Sequence, residues 1–281
     1  MNKSLKRLVV SGSLLLTASA YAQDKNFYVF LCFGQSNMEG FPGIQEQDKT
    51  SVDDRFQVLA AVDFPKLDRQ KGNWYPAVPP LCRPGCGLCP ADYFGRTLVA
   101  NLPAAIKVGV VNVSVAGAKI EVFDPNAFEA YMAAQSPTDF KRNIIKTYEG
   151  NPYQYLVKMG KEAQKAGVIK GILLHQGESN SGDKEWPNKV KAVYESLLKD
   201  LNLKAEDVPL LAGGIVGGDQ KSMNKNIIAT LPQVVPTAHV ISSESCAGRP
   251  DNLHFTPEGY RELGKRYAEA MLPLLGDKMP K

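Results

Sequence analysis

The chain has 281 residues, of which 44% are hydrophobic and 22% are charged, a composition typical of an ordinary globular protein. Its formal net charge is +4, and residues 1–22 hold three basic and no acidic side chains, so residues 23–281 are close to +1. This balance gives no electrostatic reason to expect binding to nucleic acid or to an anionic membrane.

The start of the chain has the features of a secretory signal peptide. A basic opening is followed by an apolar stretch at residues 8–16 and by Ala20-Tyr21-Ala22, a small-x-small cleavage site. The apolar stretch is too short to cross a bilayer. We therefore predict a signal peptide at residues 1–22, a secreted or periplasmic location, and a single domain over residues 23–281.

The first strand signal is the run FYVFLCF at residues 27–33. Its apolar side chains, with almost no polar interruption, suit a strand that is buried on both faces of a parallel sheet. Gly34 ends the run, and Gln35-Ser36-Asn37-Met38 follow. Ser36 is therefore expected just past the carboxyl end of the first strand, where ligands bind in open α/β sheets.

Residues 41–90 show no sustained period and are rich in Pro, Gly and Asp, which predicts a long irregular loop. Trp74 and Tyr75 lie within it. Two roles are open for these aromatic side chains: stacking on sugar rings near a cleft, or closing the small core of the loop itself.

Three of the five cysteines fall in this loop, at Cys82, Cys86 and Cys89. Their spacing is also that of enzymes that bind an iron–sulfur cluster through three thiolates. Export to an oxidising compartment instead favours a disulfide, with Cys246 as a partner for a remaining thiol. We expect a disulfide of open connectivity and no metal site.

Four further strands are predicted at residues 107–114, 168–175, 208–212 and 238–242. Helical spacing alternates with them at residues 91–102, 153–166 and 186–201, and a last helix begins after Thr256, a natural N-cap. This alternation predicts an α/β fold, namely a three-layer α/β/α sandwich with a central parallel sheet of about five strands.

The chain has three histidines that are candidates for a general base. His239 lies within the fifth predicted strand and His175 ends the third, so structural roles are expected for both. His254 follows Asp251 by three residues in a loop before a capped helix. The Asp251 carboxylate there can accept from one ring nitrogen and leave the other free as a base.

Four candidate site segments follow the carboxyl ends of different predicted strands: Ser36, Gly117, the cluster from Gln176 to Asn180, and the pair Asp251/His254. In a doubly wound parallel sheet those ends share one edge, so the segments are expected to converge. Serine, histidine and a carboxylate supply an activated nucleophile, while the Gly117 N–H and the Gln176 amide are donors for an oxyanion. The convergence of these segments predicts an enzyme with an activated nucleophile.

The same segments resemble the sequence blocks of SGNH-type hydrolases, specifically the branch that contains the acetylxylan esterases of carbohydrate esterase family six and the sialate O-acetylesterases. The resemblance rests on Gly34-Gln35-Ser36-Asn37-Met38, the Gly117 turn, His175-Gln176-Gly177-Glu178 and Asp251-x-x-His254. It extends over essentially all of residues 23–281 and implies a flavodoxin-like α/β/α sandwich. It also implies ester hydrolysis through an acyl-enzyme, without a metal or an organic cofactor.

By position, the resemblance implies that Ser36 is the nucleophile, His254 the base and Asp251 the orienting acid. Glu178 is an alternative acid or a second support for His254, and we favour Asp251 because it shares the histidine's loop. The Ser36 N–H, Gly117 and Gln176 would form the oxyanion hole, although many SGNH hydrolases have an asparagine at the position of Gln176.

Acetylated plant polysaccharide such as xylan fits an exported, near-neutral enzyme with aromatic residues in its loops. A sialic acid would favour an arginine in the cleft, which Arg83 or Arg249 would supply, so a sialate O-acetylesterase is the alternative. A carbohydrate-binding protein without catalysis is a third hypothesis, but it would not need a serine, a histidine and a carboxylate together. The sequence leaves the oligomeric state open.

Overall fold

The computed structural model describes residues 23–41, 43–217 and 221–276. The signal peptide predicted at residues 1–22 lies outside these ranges. No helix within the described ranges has both the length and the apolar character that a membrane span requires.

Seven strands form one sheet: β1 (Asp24–Gly34), β2 (Phe56–Leu59), β3 (Trp74–Pro76), β4 (Lys107–Ser114), β5 (Gly167–His175), β6 (Leu210–Gly213) and β7 (Ala238–Ile241). Their order across the sheet is β3-β2-β4-β1-β5-β6-β7. All neighbouring pairs are parallel except β2 and β3, which are antiparallel.

The helices of the described residues are α1 (Ser36–Glu39), α2 (Glu46–Lys49), α3 (Pro90–Asn101), α4 (Phe128–Ala133), α5 (Lys141–Thr147), α6 (Pro152–Ala166), α7 (Trp186–Asp200), α8 (Lys221–Asn226), α9 (Leu231–Val234) and α10 (Pro257–Gly276). Short 3₁₀ turns occur at Pro65–Leu67, Ile120–Phe123, Glu178–Asn180 and Ile228–Thr230. The predicted α/β class is confirmed.

The central strand β1 is buried on both faces because alternate side chains of a strand point to opposite sides. Leu31 and Phe33 pack in one core with residues of α6 and α7, while Phe30 and Cys32 pack in a second core with residues of α3 and α10. A helical layer therefore covers each face of the sheet, and this explains why the sequence of β1 is continuously apolar.

Two strands were not predicted, because β2 and β3 lie within residues 41–90, where we expected irregular structure. They are four and three residues long, and Gln57 in β2 and Pro76 in β3 leave neither with a continuous apolar run. Pairing fixes them instead: Val58 of β2 aligns with Val110 of β4 and with Tyr75 of β3.

The two aromatic residues of β3 have structural contacts rather than a place in a cleft. The Trp74 ring meets the Phe27 ring edge-on at 4.6 Å between centroids, and the Tyr75 hydroxyl accepts from the backbone N–H of Gln70. Of the two roles considered for these side chains, the structure favours closing a local core.

The predicted disulfide is not formed, since all five cysteines are free thiols. Cys82 Sγ lies 3.2 Å from the Tyr148 hydroxyl, and Cys89 Sγ accepts from the Asn112 side chain at 3.7 Å. These two thiols therefore have partners other than a second cysteine. Within the described residues, no three His, Cys, Asp or Glu side chains are grouped so that they could hold a metal ion.

Candidate active site

The turn between β1 and α1 places Ser36 at the carboxyl edge of the sheet. Gly34 has φ of +152°, and a Cβ at this position would lie 2.1 Å from the carbonyl oxygen of His175, so only glycine fits. The backbone N–H of Gln35 then donates to the same carbonyl at 3.0 Å. This bond ties the turn to β5 and fixes Ser36 as the first residue of α1.

Ser36, His254 and Asp251 form a continuous chain of hydrogen bonds. Ser36 Oγ lies 2.9 Å from His254 Nε2, and His254 Nδ1 lies 2.8 Å from Asp251 Oδ2. An ionised carboxylate can only accept, so Nδ1 carries the ring proton and Nε2 is free to accept from the serine hydroxyl. This tautomer is the one that a general base acting on Ser36 needs.

The Asp251 carboxylate remains ionised far into the acid range. Partial burial acts to raise its pKa, but hydrogen bonds from the His254 ring and from the backbone N–H groups of His254 and Leu253 lower the pKa to about 2. The two N–H groups donate to Oδ1 at 3.0 and 2.9 Å, which leaves Oδ2 for the imidazole.

The His254 ring is also held by an aromatic residue that the sequence did not single out. Phe41 stacks on it with 3.7 Å between ring centroids and 10° between ring planes. Arg249 lies over the Phe41 ring at 5.5 Å, and its backbone N–H donates to the His254 carbonyl at 2.7 Å. Stacking and hydrogen bonding together restrict the orientation of the imidazole.

Glu178 does not contact the His254 ring nitrogen that an alternative triad acid would have to bind. Its Oε1 accepts from the Asn37 side chain at 2.5 Å and lies 3.4 Å from His175 Nε2, whereas Asp251 occupies the position on His254 Nδ1. Asn37 also donates to the Leu253 carbonyl at 2.9 Å. Among the described residues, the hydrogen-bonded link from Glu178 to the loop that carries His254 runs through Asn37.

Neither of the other histidines reaches the serine. His175 is fully buried at the end of β5, in edge-on contact with the Phe255 ring at 5.6 Å. His239 belongs to β7, which is three strand positions away from β1 in the sheet. Both placements agree with the structural roles expected for these residues.

The prediction that Gln176 donates directly to an oxyanion does not fit the structure. Its side chain is buried, and Nε2 faces three acceptors: Asn180 Oδ1 at 2.7 Å, and Gln35 Oε1 and the Ala118 carbonyl at 3.2 Å each. Its Oε1 accepts from the indole N–H of Trp186. The amide has no remaining donor for a bound substrate.

The free amide donor that we expected on Gln176 is instead on Gln35. Its Oε1 accepts from Gln176 Nε2 and from the Ser179 N–H, at 3.2 Å each, while its Nε2 has no acceptor among the described residues. Gln35 also lines the pocket in front of Ser36. The only sequence signal for this residue was its position directly before the serine.

A pocket of about 670 Å³ opens in front of the serine. Its wall includes Gln35, Ser36, Gly117, Arg83, Phe140 and His254. Within the described residues, the N–H groups of Ser36 and Gly117 have no hydrogen-bond partner in the protein. Three residues with an unused N–H donor, Gln35, Ser36 and Gly117, thus line the pocket at the serine end of the hydrogen-bonded chain. Donors of this kind are what an oxyanion needs.

A family model described as carbohydrate esterase, sialic acid-specific acetylesterase matches residues 26–273. The chain belongs to this carbohydrate esterase family. The match shows the family but does not single out the acetylxylan esterase branch that the sequence blocks suggested.

Individual relatives are distant in sequence. A probable carbohydrate esterase of Arabidopsis thaliana is 24% identical over 257 residues, which cover 87% of this chain and 90% of the relative. A solved structure of an Arabidopsis thaliana protein is 23% identical, with a TM-score of 0.67, and the match covers 89% of this chain and 99% of that one.

Two further solved structures share the fold. The structure of NanS is 17% identical with a TM-score of 0.64, and the match covers 91% of this chain and 99% of that one. A carbohydrate acetylesterase from Xanthomonas citri is 20% identical with a TM-score of 0.61, with 86% of this chain and 55% of that one covered. These similarities confirm the α/β architecture.

The pocket of this carbohydrate esterase also contains an ion pair that the sequence reasoning did not find. Arg83 Nε donates to Glu39 Oε1 at 2.7 Å. Burial raises the pKa of Glu39 even though Arg83 opposes this effect. Burial is the largest single effect on Arg83 and acts to lower its pKa, but the hydrogen bond to Glu39 and the nearby Glu39 and cysteine side chains together raise the pKa.

Two large apolar side chains lie at the mouth of the esterase pocket. Phe140 and Leu253 line it and are 57% and 43% exposed, respectively. Exposed apolar surface at a cleft is typical of a binding region.

Proposed function

We propose that this carbohydrate esterase is a serine O-acetylesterase that hydrolyses acetyl esters of carbohydrates through an acyl-enzyme on Ser36. The observation that carries the proposal is the hydrogen-bonded chain from Ser36 through His254 to Asp251, whose serine end lines the pocket. Serine, imidazole and carboxylate in this order form the catalytic triad of serine hydrolases.

In the proposed mechanism, His254 Nε2 removes the Ser36 proton as Oγ attacks the acetyl carbonyl carbon. The resulting oxyanion receives hydrogen bonds from the Ser36 and Gly117 N–H groups and from Gln35 Nε2. The C–O bond to the sugar then breaks, and the imidazolium returns its proton to the leaving sugar oxygen. Water, deprotonated by His254, then attacks the acyl carbonyl carbon. The bond from that carbon to Oγ breaks, acetate leaves, and the imidazolium returns its proton to Ser36 Oγ.

For the substrate we propose acetylated plant polysaccharide such as xylan, with the protein secreted or periplasmic. The resemblance to the acetylxylan esterases of carbohydrate esterase family six and the predicted signal peptide support this choice. The description of the matched family favours an O-acetylated sialic acid as the alternative.

The test measures acetate release from acetylated xylan and from an O-acetylated sialic acid, for the wild type and for Ser36→Ala. We expect release from xylan, and a loss of about five to six orders of magnitude in kcat in the variant. Ser181→Ala, at an exposed serine, is the matched control. Release from the sialic acid alone would contradict the xylan assignment, and full activity of Ser36→Ala would contradict the serine mechanism.

A carbohydrate-binding protein without catalysis is the second candidate, favoured only by the exposed Phe140 and Leu253 at the pocket mouth. Treatment with a radiolabelled organophosphate separates the two functions, because only an activated serine reacts. We expect labelling of the wild type and none of Ser36→Ala.

A further inference from the structure

The ion pair between Glu39 and Arg83 lines the same pocket as Ser36 but takes no part in the chain from Ser36 to Asp251. Glu39 lies on α1, one helical turn after the serine, so its side chain is on the serine's side of the helix. The side chains are 6% and 25% exposed for Glu39 and Arg83, respectively, and the remaining surface of the pair is available in the pocket.

The pair has hydrogen-bonding capacity that the protein does not use. A guanidinium has five N–H donors, and within the described residues Arg83 uses only Nε–H, toward Glu39 Oε1. The N–H groups on both Nη atoms remain for a ligand. Because each side chain holds the other in place, these donors are already oriented before a ligand binds.

Charge in the pocket also limits what the pair can bind. Among the described residues that line the pocket, Arg83 is the only lysine or arginine, and Glu39 and Glu178 are the carboxylates. Glu39 already balances the charge of Arg83 at 2.7 Å. Arg249 does not line the pocket; it lies over the Phe41 ring. A carboxylate on the substrate would find no uncompensated positive charge.

We propose that Glu39 and Arg83 form a subsite that hydrogen-bonds hydroxyl groups of an uncharged acetylated sugar and selects such sugars over anionic ones. This inference rests on the proposed function and specifies the substrate class of the same site. A sugar hydroxyl is both donor and acceptor, so a neutral donor–acceptor pair suits neighbouring hydroxyls, whereas a carboxylate would be repelled by Glu39 and Glu178.

The experiment compares kcat/KM for three acetyl esters: a mono-O-acetylated methyl xyloside, the corresponding acetylated methyl glucuronoside, and 4-nitrophenyl acetate, which has no sugar. The wild type is expected to prefer the xyloside to the anionic glucuronoside. In Arg83→Met, the ratio of kcat/KM for the xyloside to kcat/KM for 4-nitrophenyl acetate should fall by about 10–100-fold. A loss of this size is expected when hydrogen bonds to a charged group are removed. Arg55→Met, in a surface pair with Asp53, is the matched control for this ratio.

Glu39→Gln provides an independent test that retains the shape of the side chain. It leaves the charge of Arg83 uncompensated, so the ratio of glucuronoside to xyloside activity should rise by about tenfold. Melting temperatures of all variants separate misfolding from altered recognition.

Three results would overturn the subsite. One is an equal loss on the xyloside and on 4-nitrophenyl acetate in Arg83→Met, because a merely structural ion pair would affect all esters alike. The second is a wild type that prefers the glucuronoside, and the third is a Glu39→Gln variant with an unchanged ratio. If the wild type cleaves none of the three esters, the proposed function fails together with the inference.

Discussion

Two hydrogen-bonded glutamines near Ser36 together leave one amide nitrogen without a protein acceptor among the described residues. Gln176 is surrounded by acceptors and donates to the oxygen of Gln35. Gln35 lines the pocket, and its nitrogen has no acceptor among the described residues. We expect Gln35→Ala to lower kcat by about 10²–10³-fold with little change in KM, because the lost hydrogen bond acts on the transition state. Steady-state kinetics with 4-nitrophenyl acetate measures this effect.

Gln176→Ala is the companion variant. We expect it to change kcat because Gln35 loses the hydrogen bond that positions it. It should lower kcat less than Gln35→Ala does and should also lower the melting temperature, since the indole N–H of Trp186 loses its acceptor. In the double variant, kcat should match that of Gln35→Ala. A further drop in kcat there would mean that Gln176 contacts the oxyanion itself.

Asp251 contributes to the orientation of His254 and, at neutral pH, to stability. Replacing it in Asp251→Asn should lower kcat by about 10⁴-fold, because an amide can stabilise the wrong imidazole tautomer. Measurement of kcat at neutral pH tests this, with Asp54→Asn at an exposed position as the control.

The low pKa of Asp251 also sets the pH range in which it stabilises the fold. The folded-state pKa is about 2, below the ordinary value of 3.8, so the contribution is present above about pH 4 and disappears as the pH falls through 2. Melting curves should therefore show the wild type slightly above Asp251→Asn at neutral pH and equal to it near pH 2. A difference that persists undiminished into acid would contradict this assignment.

The first turn of helix α3 contains a buried carboxylate, that of Asp92. Asp92 Oδ2 accepts from the Cys89 N–H at 2.9 Å, whereas the buried Oδ1 has no partner among the described residues. Burial raises the pKa of Asp92 to about 7, although hydrogen bonds with Cys89 act to lower it. The folded protein therefore holds this proton more tightly than the unfolded chain does.

This raised pKa predicts how Asp92→Asn changes stability. The wild-type carboxyl contributes fully below about pH 4 and loses its contribution as the pH rises through 7, while the asparagine oxygen still accepts from Cys89 and does not ionise. We expect Asp92→Asn to match the wild type near pH 4 and to melt at a higher temperature at about pH 8. Denaturation at a series of pH values tests this, and a constant difference would show that Asp92 does not titrate as described.

Elements were predictable from the sequence where burial on both faces left a continuous apolar pattern. The strands β1, β4 and β5 lie at the centre of the sheet, and their predicted ranges agree with the observed ones to within a few residues. The strand β2 pairs with β4, and the edge strand β3 pairs with β2. These short strands depend on their partners, which the sequence of either strand alone does not show.

Across the whole molecule, the parallel topology brings together segments that are far apart in the sequence. The turn after β1, the turn after β4, the segment after β5 and the loop before α10 all meet at one sheet edge, and the sequence predicted this convergence. It did not predict which amide faces the pocket or that Glu39 pairs with Arg83, because these depend on side-chain directions after the chain has folded.

The same topology makes Asn37 a link between the serine turn, the segment after β5 and the loop before α10. Its amide donates to Glu178 and to the Leu253 carbonyl, and its oxygen accepts from the Tyr260 hydroxyl at 2.7 Å. Asn37→Ala would free the loop before His254 and leave the buried Glu178 carboxylate without this donor. We expect a loss of about 2–4 kcal/mol in the free energy of unfolding and about 10–100-fold in kcat.

A second substitution shows whether the buried charge causes that loss. In the Asn37→Ala background, Glu178→Gln should recover part of the stability, because a neutral amide without its partner costs less to bury than a carboxylate. In the wild-type background Glu178→Gln should destabilise, since the charged acceptor of Asn37 is lost. Urea denaturation of the four proteins gives the interaction energy between the two positions. Additive losses would show that Asn37 does not stabilise the Glu178 carboxylate, whereas a change of sign in the effect of Glu178→Gln would show that it does.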